Sequence, residues 1–110
     1  MVVVRITMNV RPEKQLEVTQ TLLSMIDPSG KEMGCLNYAV FCSIEDHNCF
    51  SLLEEWETRE DLDRHIRSHR FEVLLGTKAL LSQPLEVQIH TIDQSEGMEA
   101  IHSARAGKAN

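Results

Sequence analysis

Long hydrophobic runs are missing from this 110-residue chain. No apolar stretch reaches the roughly 20 residues that a membrane-spanning helix needs. The opening Met1-Val2-Val3-Val4-Arg5 is too short and too early for the apolar centre of a secretory signal. Basic residues are in deficit, with 11 Lys and Arg against 17 Asp and Glu and a net charge of -6. That balance argues against nucleic acid and against anionic membrane surfaces as partners. The densest basic cluster, Arg64, Arg67 and Arg70, is diluted by acids and reads as a solvated helix face. Cysteine is scarce too. Cys35, Cys42 and Cys49 are odd in number and form no C-x-x-C, so neither a disulfide framework nor a zinc ribbon is expected. They read as small, mostly buried hydrophobes in strands. These absences together make the cytoplasm the expected location.

Cofactor and metal motifs are absent as well. There is no H-E-x-x-H, Cys/His quartet, EF-hand loop, Walker A sequence, G-x-G-x-x-G or G-x-S-x-G. Redox chemistry on this chain would need a cofactor that no motif announces, or none at all. No cofactor and no metal is the expectation.

What is present is a regular alternation of strands and helices. The length suits one domain with a single core. Val2, Val4, Ile6, Met8 and Val10 alternate with Val3, Arg5, Thr7 and Asn9, which predicts a strand with one apolar and one mostly polar face. Pro12 and Glu13 suit a helix start, and Leu16, Leu22, Leu23 and Ile26 form an apolar stripe that Pro28-Ser29-Gly30 closes. Strands over about 35–43 and 49–57 flank the polar turn Glu45-Asp46-His47-Asn48 and read as an antiparallel hairpin. Thr58-Arg-Glu-Asp61 resembles a capping box opening a helix to about Ser68. A second helical run carries Phe71, Leu74, Leu75 and Leu81 on one face. After Pro84, Leu85, Val87 and Ile89 alternate with Glu86, Gln88 and His90 in a fourth strand.

The order is β-α-β-β-α-β, a ferredoxin-like α+β fold with a four-stranded antiparallel sheet and helices on one face. Residues 1–92 form this domain, and 93–110 read as a C-terminal tail with one helical turn near Met98–Ile101. The sheet face without helices must meet water, a ligand or a partner. Its mixture of polar and apolar residues suits a ligand cavity or a wet interface.

Several side chains in this frame can carry chemistry. His65 shares a helix stripe with Leu62, Ile66 and His69, as a satisfied structural histidine or as a proton donor and acceptor lining a cavity. His65 and His69, four apart, can both ligate a metal, but no third ligand presents itself. Trp56 follows the parity of Phe50, Leu52 and Glu54, as a core aromatic or as a planar wall for an aromatic substrate. Glu54 can be a base with a raised pKa, although pairing with Arg5 from a neighbouring strand is the simpler expectation. Asn9, ending the first strand on its polar face, reads as a strand-end residue that bonds local backbone before Pro12.

The segment Glu54-Glu-Trp56, followed by His65, Ser68, His69 and Phe71, resembles the antibiotic biosynthesis monooxygenase family of small dimeric α/β-barrel proteins. The resemblance covers about residues 2–92 and implies that two sheets pair face to face in a homodimer, with the tail free to reach across the partner. It implies a cofactor-independent monooxygenase that oxidises a small electron-rich aromatic or quinol with dioxygen. His65 would be the acid/base, Trp56 the cavity wall and Asn9 the polar orienter. Thr7, Phe50, Leu52, Glu54, His69 and Phe71 would line the substrate. Relatives that degrade haem carry Trp where this chain has His65, and their proximal His where it has Leu75, which argues against haem degradation. Other relatives isomerise small phosphorylated diketones and share the His at position 65. An isomerase or lyase of a small carbonyl compound therefore stands as one alternative, and a non-catalytic ligand-binding or stress-response domain as another.

Overall fold

The computed structural model describes residues 1–108. Strand β1 (Val2–Asn9) leads through a 3-10 turn at Pro12–Lys14 into helix α1 (Gln15–Gly30). Strands β2 (Cys35–Cys42) and β3 (Cys49–Trp56) form the hairpin. Helices α2 (Arg59–Ile66) and α3 (His69–Leu75), a 3-10 turn at Gly76–Leu80, strand β4 (Glu86–Thr91) and helix α4 (Met98–Lys108) complete the order. The sheet runs β2-β3-β1-β4 with every neighbouring pair antiparallel, the ferredoxin-like arrangement expected from the sequence.

Strand periodicity of two sets the faces. Val2, Val4, Ile6 and Met8 of β1 lie opposite Trp56, Glu54, Leu52 and Phe50 of β3, all buried on the helix side. Val18, Leu22 and Met25 of α1, Leu62 of α2, and Phe71 and Leu74 of α3 close the core over them. The alternate residues, among them Val3, Arg5, Thr7, Asn9, Ser51 and Leu53, face away from the helices.

Three expectations are corrected. The buried stripe of α1 is Val18, Leu22, Met25 and Ser29, at spacings of four, three and four. Leu16 and Leu23 are about two-thirds exposed, because the helix begins at Gln15 and its phase turns them outward. As expected, the helix ends with Pro28-Ser29-Gly30, Pro28 lying within its last turn. The cysteines are less buried than expected: Cys42 is exposed, Cys49 is half-buried, Cys35 is half-buried and packed against the core, and all are free thiols. The tail is more ordered than a single turn, since α4 is a helix of 11 residues. The last two residues of the expected tail lie outside the described residues.

Helix starts follow local chemistry. The Thr58 Oγ1 accepts from the Asp61 backbone N–H at 3.1 Å, as a capping box requires. Ser68 has extended backbone and accepts from the Phe71 N–H at 3.3 Å, so it ends one helix and caps the next. Gly34 stands at φ +81°, in the left-handed region where a Cβ is disfavoured. It turns the chain from α1 into β2, and its carbonyl accepts from the Glu57 N–H at 2.8 Å.

Candidate active site

The open end of the β2–β3 hairpin brings Trp56, Glu54 and Tyr38 onto one face, since Tyr38 pairs across the strands with Glu54. The capped helix α2 lays His65 over them. Its imidazole stands 4.7 Å from the Trp56 ring at a 31° tilt. Tyr38 and Phe71 meet it edge-on at 6.1 and 5.6 Å. Three aromatic rings thus box an imidazole that is 1% exposed.

Carboxylates flank that imidazole on both sides. His65 Nδ1 lies 2.8 Å from Glu32 Oε2, and its Nε2 lies 3.7 Å from Glu54 Oε1. The Trp56 indole N–H donates to the same Glu54 oxygen at 3.0 Å. Glu32, at the rim, also stands 3.7 Å from Arg70 Nη1. The chain Arg70–Glu32–His65–Glu54–Trp56 therefore runs from solvent to a carboxylate with no exposure.

The electrostatics follow from dehydration. Burial pushes the Glu54 carboxyl above its ordinary pKa; the Trp56 N–H and His65 oppose the rise, and Glu32 adds to it. Burial likewise pushes the Tyr38 phenol up, with Glu54 reinforcing the shift. Burial and then Glu54 raise the Cys35 thiol. Glu54 Oε2, His65 Nε2, Tyr38 OH and Ser29 Oγ are buried without a hydrogen-bonding partner. Unpaired polar atoms in a dry interior are disfavoured, which makes this buried cluster the candidate site. The arrangement can accept, hold and pass a proton.

The structure brings four of the expected residues together: His65, Trp56, Glu54 and Phe71. Leu52 and Phe50 share their face of β3 but sit progressively further along the strand. Leu52 is core, while Phe50 lines an apolar cavity of about 180 Å³ between α1 and β2, with Leu22, Ile26, Val40 and Cys42. Thr7 and Asn9 are separated from the cluster by the sheet itself, because odd positions of β1 face away from the helices. Asn9 is tied to the segment before β4, its Nδ2 donating to Gln83 Oε1 at 3.4 Å. Arg5 lies on that same outer face, so the expected Glu54–Arg5 pair does not form.

His69 is also displaced. The break at Ser68 resets the helical phase, and His69 opens α3 with its side chain 85% exposed. It cannot share a metal with buried His65. Among the described residues, no group of three or more His, Cys, Asp or Glu side chains is arranged to hold a metal ion. Sequence reasoning missed Glu32, Ser29 and Tyr38 as site residues. Tyr38 was within reach, since hairpin register places it beside Glu54. Glu32 sits in a loop and carried no pattern.

The chain belongs to the antibiotic biosynthesis monooxygenase family, whose sequence profile matches residues 1–74. The matched segment holds the whole cluster and leaves β4 and α4 outside it. Among relatives, the uncharacterized protein sll1783 of Synechocystis sp. (strain ATCC 27184 / PCC 6803 / Kazusa) is 30% identical over 96 residues, 86% of this chain and 65% of that one. YcnE of Bacillus subtilis (strain 168), named as a candidate monooxygenase, is 31% identical over 88 residues, 79% of this chain and 93% of its own. The crystal structure of a conserved protein from Methanosarcina mazei Go1 superposes with a TM-score of 0.76 at 33% identity, covering 81% of this chain and 89% of that one.

Proposed function

We propose that this protein is a cofactor-independent monooxygenase acting on a small electron-rich aromatic or quinol. The reading is carried by one observation: an aromatic-walled, dehydrated imidazole held between two carboxylates. A substrate hydroxyl gives its proton to the His65–Glu54 pair. The resulting anion passes an electron to dioxygen and combines with the superoxide formed. The peroxide anion takes that proton back, and loss of water, which also removes the ring hydrogen, leaves a carbonyl where a ring CH stood and another at the former hydroxyl, so one oxygen atom enters the product and the other leaves as water. The substrate supplies all four electrons. The side chains accept the first proton and exclude water from the anion. Trp56, Tyr38 and Phe71 supply the planar walls.

The cluster is covered, so access runs through the joint between α2 and α3. Phe71 comes from α3, which packs chiefly on α2 and on the 3-10 turn that follows it. Swinging α3 about Arg67–Ser68 uncovers His65. The isomerase alternative is weaker here, because Arg5, its one strand-borne phosphate donor, is across the sheet from His65. We further propose a homodimer joined through the sheet faces that the helices leave bare, where Val3, Thr7 and Leu53 are half-buried beside charged neighbours.

The test is oxygen uptake with a panel of reduced naphthoquinones and polyphenols. Wild type should exceed the spontaneous rate, and His65→Gln or Glu54→Gln should lower the excess by about 100-fold or more. Uptake that survives both substitutions would overturn the assigned roles. A wild type no faster than buffer across the panel would overturn the activity.

A further inference from the structure

Glu32 is held more firmly than a loop carboxylate needs to be. It follows α1, and its backbone N–H donates to the Ser29 carbonyl at 3.1 Å. Its own carbonyl accepts from the Cys35 N–H at 3.1 Å, so the main chain is fixed on both sides. Left-handed Gly34 closes the turn, tied to the Glu57 N–H at 2.8 Å. The Glu32 side chain, 17% exposed, reaches inward to His65 Nδ1 at 2.8 Å, with Arg70 Nη1 3.7 Å away at the rim. The second His–Glu pair gives the contrast. His69 Nδ1 stands 3.8 Å from Glu72 Oε2, with side chains 85% and 80% exposed, too far for a hydrogen bond and screened by solvent.

The two nitrogens of His65 therefore meet different surroundings. A neutral imidazole has one N–H and one lone pair, and the hydrogen bond made by one nitrogen decides which of them carries the proton. Beside Arg70 and open to water, Glu32 carries its charge, and an ionised carboxylate only accepts. The 2.8 Å contact thus calls for the proton on Nδ1. Nε2 keeps its lone pair. It is buried without a hydrogen-bonding partner, and 3.7 Å from Glu54 Oε1 is beyond hydrogen-bond range. That oxygen already accepts from the Trp56 indole. Nδ1 faces the rim, and Nε2 faces the Trp56–Glu54 end of the site.

We infer that Glu32 is a positioning residue, which pins the resting proton of His65 on Nδ1 and leaves the Nε2 lone pair free for the substrate. The inference rests on the activity proposed above and names the atom at which its first step occurs. The substrate O–H bond breaks, the electron pair stays on oxygen, and an Nε2–H bond forms. The imidazolium produced is buried, and Glu32 at Nδ1 offsets its charge without itself taking a proton. When the peroxide takes its proton back from Nε2, the ring returns to its starting form. Without Glu32 the resting proton is free to sit on Nε2, and a protonated Nε2 has no lone pair with which to accept.

The experiment reads the His65 tautomer from the nitrogen–proton couplings of its ring in the 15N-labelled full chain, without substrate, for wild type and Glu32→Ala. In wild type the proton should sit on Nδ1, with Nε2 bare. A wild-type Nε2–H, alone or beside Nδ1–H, would overturn the inference. In Glu32→Ala the Nε2–H form should appear, and a tautomer that does not move would overturn it too. Matching backbone spectra establish that the variant is folded; a variant that does not fold leaves the wild-type spectrum to decide. Oxygen uptake by folded Glu32→Ala should lose about 100-fold in kcat with KM little changed. A loss carried by KM alone would make Glu32 a binding group and overturn the positioning role. A wild type that consumes no oxygen would overturn the activity, while the spectra, read without turnover, still decide where the proton sits.

Discussion

Glu54 is a carboxylate that water does not reach, and this makes the fold sensitive to pH in one direction. Its pKa in the folded state lies above the ordinary 4.5 because burial disfavours the charge. Between those two values the folded protein holds a proton that the unfolded chain has released. Stability from this group is therefore fullest below pH 4.5 and is lost as pH rises through the folded pKa. Glu54→Gln removes the ionisation while keeping an acceptor for the Trp56 N–H. The variant's advantage over wild type in urea unfolding should grow from pH 5 to pH 8, at a slope of up to about 1.4 kcal/mol per pH unit until the folded carboxyl ionises. A difference that stays flat with pH would mean the carboxyl is not held dehydrated. A variant both sturdier and less active is what a strained site predicts. His65→Ala behaves differently. It empties the space between Trp56, Tyr38 and Phe71 and strands two carboxylates, so a loss of about 3 kcal/mol is expected in the same unfolding measurement. Activity lost in that variant alone would say little about proton transfer, which is why the Gln substitutions are the sharper test.

At the scale of elements, the turn at Gly34 and the helix start at Thr58 act as one device. A Cβ built on Gly34 comes within 2.2 Å of the Asp61 carboxylate, the group that accepts from Thr58 Oγ1 at 2.8 Å and from Arg64 at 2.9 Å. Gly34→Ala therefore meets both left-handed backbone strain and a displaced cap. It should lower stability by about 2 kcal/mol, read as a shift in urea midpoint, while Gly30→Ala, with nothing near its added carbon, should not. The same elements show what a sequence tells. Strand parity was legible in β1 and β3, where burial alternates along the strand, but not in β4, which is exposed at every position. The phase of α1 was not legible either. Leu16, Leu22, Leu23 and Ile26 make as good a stripe on paper as Val18, Leu22 and Met25, and only the sheet beneath decides between them. The break at Ser68 was visible only as two helical runs, so the shift it imposes on His69 could not be foreseen.

For the whole molecule, whether an expected residue joins the buried His65 cluster came down to which side of the sheet it occupies. His65, Trp56, Glu54 and Phe71 could be grouped from parity and helix stripe. Asn9 and Thr7 were drawn in by resemblance, although their own alternation with Val2, Val4 and Ile6 already set them on the other face. Glu32 needed the tertiary fold, because no local pattern brings a loop carboxylate to an imidazole 33 positions away. That other face now carries the remaining question. It holds Leu53 between Arg5 and Ala39, with Phe41 53% exposed nearby, a surface too apolar to be indifferent to water and too charged to be a core. Paired with its twin, as proposed above, this face would lose its apolar exposure to water. A folded state that exists as a dimer gains stability by mass action, so its thermal midpoint should rise as protein concentration rises. Leu53→Asp puts a charge in the middle of the face without touching the core on the helix side. Wild type should scatter light as twice the chain mass with a concentration-dependent midpoint. Leu53→Asp should scatter as a single chain whose midpoint no longer moves with concentration. A wild type that is monomeric at micromolar concentration would leave the bare face to the ligand instead of a partner.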